Sequence, residues 1–169
     1  MNDLQSHLQS LYQGMEKAIF HYQGLIEEMK KESEYLKQGS HESLIRSAHS
    51  IEIHTTEIQK VNASTGRAIE EILNFLGKDE VEKSISGLMS VLPPADYRKL
   101  KAYQRILGSL KERVRQINEW NKSFIQESLN YWKDLVSLLI FPLDDSPVYI
   151  PNGHKKPLTN QPYALNWKV

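Results

Sequence analysis

Between Asp96 and Phe141 the apolar and aromatic residues recur at alternating intervals of three and four. They fall at Leu100, Tyr103, Leu107, Leu110, Val114, Ile117, Phe124, Tyr131, Leu135 and Leu138, with Asn121 and Ser128 occupying the two gaps. Such a seam belongs to a helix packed lengthwise on other helices. At about 1.5 Å per residue it predicts a helix roughly 65–70 Å long. A second stripe, Ile106, Trp120, Ile125, Trp132 and Leu139, runs beside the first. One packed neighbour needs one stripe. Two stripes call for two neighbours, or for a partner that this chain does not encode.

The remainder of the chain predicts helices able to supply the first neighbour. Helix one starts at Asp3, a candidate N-cap, with the seam Leu4, Leu8, Leu11, Met15, Ala18, Tyr22, Leu25, Met29, Glu32 and Leu36. Lys37-Gln38-Gly39 closes it, glycine taking the left-handed position after the helix. Ser40 caps helix two, whose seam is Leu44, Ala48, Ile51, Thr55, Ile58, Asn62, Thr65, Ile69, Ile72 and Leu76. Its middle layers are polar, either buried to fix register or turned partly to solvent. Asp79 and Glu82 read as a capping box opening a short third helix, which Pro93-Pro94 ends. The expectation is an all-α antiparallel bundle, a coiled-coil-like array of three long helices and one short one over residues 1–141. Residues 142–169 form a separate extended or flexible tail. Five of the seven prolines lie in it, which no helix accommodates, yet Val148, Tyr149, Tyr163 and Trp167 give it apolar anchors for docking.

Composition narrows the function. Lys plus Arg equals Asp plus Glu at 21 each, so no global field favours nucleic acid or an anionic membrane. Residues 1–76 carry a net −4 and residues 96–134 a net +4, a weak attraction between packed helices. The basic residues from Arg98 to Arg115 alternate with apolar ones and lack a stacking platform, so they read as a solvated face, not a nucleic-acid site. Without cysteine there is no disulfide, zinc thiolate or thiol nucleophile. The N-terminus does not resemble a signal peptide, and no apolar run approaches the ~20 residues of a membrane span. A soluble, intracellular, mostly helical protein is expected.

Catalysis finds no footing. A bundle that holds two metal ions needs Glu-x-x-His from two helices, and no glutamate here is followed by histidine three residues on. The six histidines contain no i, i+3 or i, i+4 pair, and each reads as a surface or boundary residue. No phosphate loop is present. No enzyme activity, metal or cofactor is expected.

Binding is what remains. All three tryptophans, Trp120, Trp132 and Trp167, lie from the end of the long helix onward, where two stripes coincide. The segment Ile117-Asn118-Glu119-Trp120-Asn121, then Phe124-Ile125, Leu129 and the run Leu135 to Leu139, resembles the C-terminal helix of FlgN-type flagellar export chaperones. In that family an Asn-x-x-Asn pair precedes an amphipathic segment, followed by a tyrosine–glycine element. Asn118 and Asn121, then Tyr149 and Gly153, fit those elements in order. The tail is longer and richer in proline than the family pattern.

The resemblance implies an ATP-independent cytoplasmic chaperone for the hook–filament junction (hook-associated) proteins. It would bind their C-terminal helical segments before type III export and deliver them to export gate components. Carried over by position, the client contacts are Trp120, Phe124, Ile125, Tyr131, Trp132, Leu135, Leu138 and Leu139, with Tyr149 beside them. Two rivals stand next to this reading: a structural coiled coil whose second stripe closes a homo-oligomer, and a chaperone of the same kind for a different secreted client, such as the filament cap or an injectisome component.

Overall fold

The structure, a computed structural model, describes residues 2–140, with side chains described over 4–138. The predicted tail, including Tyr149 and Gly153, lies outside the described residues. Four helices follow in order: α1 (Asn2–Gln38), α2 (His41–Phe75), α3 (Ile85–Val91) and α4 (Pro94–Ile140). Three are long and one short, as the spacing predicts. They fall in two units, Met1–Gln126 and Glu127–Val169, the division falling inside α4.

Both long-helix exits are built the same way. Gly39 N–H donates to Leu36 O and Ser40 N–H to Tyr35 O; Gly77 N–H donates to Asn74 O and Lys78 N–H to Leu73 O. This paired closure needs a left-handed residue, and Gly39 (φ +66°) and Gly77 (φ +63°) supply it. A side chain at Gly39 meets no neighbour, so Gly39→Ala tests conformation alone. It should cost about 1–2 kcal/mol, the penalty of a left-handed L-residue, measured by denaturant unfolding.

In the first unit α1 and α2 run antiparallel and are the most closely packed pair. Glycines on α1 permit the approach. A Cβ on Gly14 would sit 3.2 Å from Thr65 Oγ1, and one on Gly24 would sit 2.6 Å from Nε2 of His54. α4 lies parallel to α1: Asp96 meets Tyr12, Tyr103 meets Glu16, and Asn121 meets Ser33, with sequence offsets of 84 to 88.

The core forms two clusters along this unit. One joins Leu8, Leu11, Tyr12 and Met15 of α1 to Ile69, Ile72 and Leu73 of α2, Leu88 and Met89 of α3, and Leu100 of α4. The other joins Ala18, Tyr22, Leu25 and Met29 to Ile58 and Val61, flanked by Leu110, Val114 and Ile117 of α4. Leu107 packs against both. α3 thus plugs the end of the hairpin where α1 begins, and its short connection aims α4 back along α1.

Several local expectations shift. α1 begins at Asn2, so Asp3 is inside the helix and not its cap. α3 opens at Ile85, not at Asp79: Ser84 is the N-cap and its Oγ accepts from Gly87 N–H at 3.0 Å. The Asp79–Glu82 stretch instead turns back from the Gly77 closure, with Val81 N–H donating to Lys78 O and Lys83 paired with Glu70. Leu92, held extended (ψ 152°) ahead of Pro93, ends α3 as expected. Ser40 occupies the N-cap of α2 but makes no side-chain cap bond; its hydroxyl pairs with Ser43.

On α2 the polar layers turn outward. Thr55 and Asn62 are exposed, and the buried line runs through Ser47, Ile58, Val61, Ile69, Ile72 and Leu73. Ser47 replaces the expected Ala48 at the interface, its hydroxyl donating to Glu28 O at 3.0 Å.

Candidate functional site

The first eight turns of the α4 seam behave as its spacing requires. Leu100 is fully buried, Tyr103 through Ile117 are half-buried against α1 and α2, and Asn121 is buried. Asn121 is the polar layer of this seam. Its Nδ2 donates to Glu32 Oε2 at 2.7 Å and to Met29 O at 3.3 Å, while Ser33 Oγ lies 2.6 Å from its Oδ1. Every polar atom of this buried side chain is therefore matched, which an apolar layer could not reproduce one turn out of register. Asn118, by contrast, is exposed. The two asparagines stand three positions apart and differ in role: one locks α4 to α1, the other faces solvent.

Just beyond this lock the character of α4 changes. Trp120 is 45% exposed; its indole stacks on Phe124 (centroids 5.8 Å apart, planes 20°), and Lys37 Nζ stands 5.0 Å above the ring. A cation over an indole at a surface stabilises by about 0.5–1 kcal/mol. It holds Trp120 in place without drying it. Ile125 is also exposed and Phe124 is half-buried. α1 ends at Gln38, the residue after Lys37, and the first unit closes at Gln126 soon after.

Within the second unit, the described part of α4 carries Leu129, Tyr131, Trp132, Val136 and Leu138, all exposed, with Trp132 at 63% and Tyr131 at 62%. The two rings meet edge to face, 6.4 Å apart at 69°. Leu135 is half-buried, and the side chain of Leu139 lies outside the described residues, as does Tyr149. Leu129, Trp132 and Val136 follow one another at intervals of three and four. The exposed stripe therefore contains Leu129 and Val136, which the sequence reading left out of it. Extending the Ile125–Trp132 interval by the same period would have found both.

Tested as an enzyme or metal site, the described part of the molecule offers little. No group of three or more His, Cys, Asp or Glu side chains among the described residues could hold a metal ion. No helix among them is long and apolar enough to cross a membrane. Tyr12 and Tyr103 are structural. Tyr12 donates to Asp96 at 3.0 Å, and burial first, then that carboxylate, pushes its hydroxyl far above the ordinary tyrosine range. The Glu16 hydrogen bond does the same to Tyr103, pushed up to about 12.

What the geometry presents is thus a helical bundle whose last helix carries exposed apolar side chains. The model of the FlgN protein family matches residues 1–157. The chain belongs to the FlgN family. Neither a curated protein nor a solved structure matches it. FlgN proteins are non-enzymatic flagellar export chaperones for hook-associated proteins, and they work in the cytoplasm. For this FlgN protein the match covers the four helices and part of the tail, including Tyr149 and Gly153. It extends past residues 117–153, which carry the motif resemblance, and takes in the hairpin as well as α4.

Proposed function

We propose that this FlgN protein receives the C-terminal helical segment of a hook-associated protein along the face of α4 from Phe124 to Leu139. The observation that carries the reading is the group of exposed large apolar residues in the second unit, Leu129, Trp132 and Val136, with Tyr131 and Leu138 beside them. An amphipathic client helix supplies the complementary stripe, in the helix-on-groove mode. Each large side chain that becomes buried contributes about 1.5–3 kcal/mol before ordering costs. Those costs, including any ordering of the tail around Tyr149, bring the net down to binding that protects and still releases. Delivery to export gate components belongs to the same proposal.

The test removes residues 127–169. The remainder keeps both core clusters and should stay helical by circular dichroism, while losing detectable affinity for the C-terminal segment of a hook-associated protein in calorimetry. Native affinity in the truncated chain would overturn the placement. Light scattering separates the rival: if the exposed stripe closes a homodimer, the full chain is dimeric without client and the truncated chain monomeric.

A further inference from the structure

Hairpin packing brings together two histidines 33 residues apart. His21 on α1 and His54 on α2 face each other with their Nδ1 atoms 3.3 Å apart, the rings 5.5 Å between centroids, both half-buried. The His54 ring lies against Gly24, where a Cβ would collide with it. The ring has this place only because α1 lacks a side chain there. One such contact needs one nitrogen bearing hydrogen and one lone pair. Two imidazolium rings have no lone pair to offer, and their like charges would stand a few ångströms apart.

We infer that the His21–His54 pair is an acid-sensitive latch in the α1–α2 hairpin, closed when at most one ring is protonated and opened when both are. The surroundings cannot neutralise two extra charges. Lys17 on α1 and Lys60 on α2 both already pair with Glu57, the carboxylate acting on His21. The groove that Gly24 lines also holds Glu27 and Lys30 of α1, and Arg113 of α4. Glu27 is itself paired with Lys30. Phe20 packs edge-on against the His21 ring and offers no charge.

The sign follows from proton counts. Burial first, then the His54 charge, hold His21 below the ordinary histidine range. The unfolded chain therefore binds more protons than the folded one as pH drops below about 6.5. The latch contributes fully above that point, and its contribution is lost as pH falls. The layer it spans lies beside Ala18, Tyr22, Leu25 and Ile58 of the second core cluster. Opening it loosens the hairpin on which α4 rests.

The experiment uses the full chain and compares denaturant unfolding at about pH 7.5 and about pH 5.5, a window in which histidine is the side chain that titrates. The wild-type folding constant should fall severalfold more across this window than those of His21→Gln and Gly24→Ala. The first removes one titrating ring; the second keeps both and displaces the His54 ring. Nitrogen NMR of the wild-type imidazoles supplies a readout that needs no variant: the pair should take up its two protons in separate steps, the second displaced to lower pH. Equal pH dependence in all three chains, or two independent titrations at the ordinary histidine midpoint, overturns the proposal. Should a variant fail to fold, the wild-type NMR titration still decides.

Discussion

Changing Trp132 and Leu138 together to serine weakens client binding about a hundredfold or more while leaving the fold intact. The two halves of that expectation have separate causes. Trp132 is 63% exposed and Leu138 59%, so removing them leaves no cavity, and surface substitutions of this kind change stability by about 0.5 kcal/mol or less. On the proposed placement of the client helix, the same side chains would be central anchors. Aromatic and large aliphatic anchors at the middle of an interface commonly cost about 2 kcal/mol or more each when truncated. Calorimetric titration with the C-terminal segment of a hook-associated protein measures the loss. A control keeps the result specific: Phe20, on α1, is 65% exposed and equally large. Phe20→Ser should leave affinity unchanged. If Phe20→Ser matched the double variant, binding would follow general surface hydrophobicity and not this face of α4.

Asn121→Ala destabilises the first unit by about 2–3 kcal/mol, read from denaturant midpoints. The alanine leaves Glu32 and Ser33 without their partner on α4 and opens a small void in the seam. Asn121→Leu paired with Ser33→Ala behaves differently. It removes the Asn121–Ser33 pair from both sides and fills the layer with hydrocarbon, while the Glu32 carboxylate and the Met29 carbonyl still lose their donor, so part of the lost stability returns. What it does not restore is register. The sequence has no native cysteine, so spin labels can be attached at single introduced cysteines on exposed positions of α1 and α4. The distance distribution between them should be narrow in the wild type and in Asn121→Ala, and broad in the double variant. A narrow distribution in the double variant would show that Leu100, Leu107 and their neighbours set the register without Asn121.

Much of this was legible in the spacing of apolar residues. The 3–4 alternation over α4 named its buried side correctly as far as Asn121, including the asparagine as a seam position, because a long helix samples the period many times. Helix ends at Gly39, Gly77 and Leu92 were legible because glycine and proline act through backbone geometry that few contexts override. α2 was harder. Its seam residues and their neighbours are nearly equally apolar, and the choice of Ser47 over Ala48 follows from a hydrogen bond to Glu28 on another helix, which no local pattern contains. Asp79 and Glu82 matched a capping box, yet the chain leaving the Gly77 closure cannot resume a helix until Ser84 caps it. His21 and His54 lay beyond reach for the opposite reason: each is unremarkable locally, and only the antiparallel register of the hairpin pairs them. At the candidate site, the exposed stripe was half visible through Ile125 and Trp132, while Leu129 and Val136 emerged once accessibility was known.

The parallel placement of α4 on α1 has a bearing on how the chain is made. The hairpin can close on the ribosome once residue 76 is out, but the groove that takes Leu110, Val114 and Ile117 stays open until α4 has followed. At synthesis rates of about 5–20 residues per second, the fifty or so residues from there to the end of the first unit take roughly 3–10 s. During that interval the nascent hairpin shows an apolar trough of its own, a vacancy that its last helix must fill before any client segment does. The polar clasp at Asn121 comes near the end of that sequence, so a chain seated one turn askew is turned away at the final step.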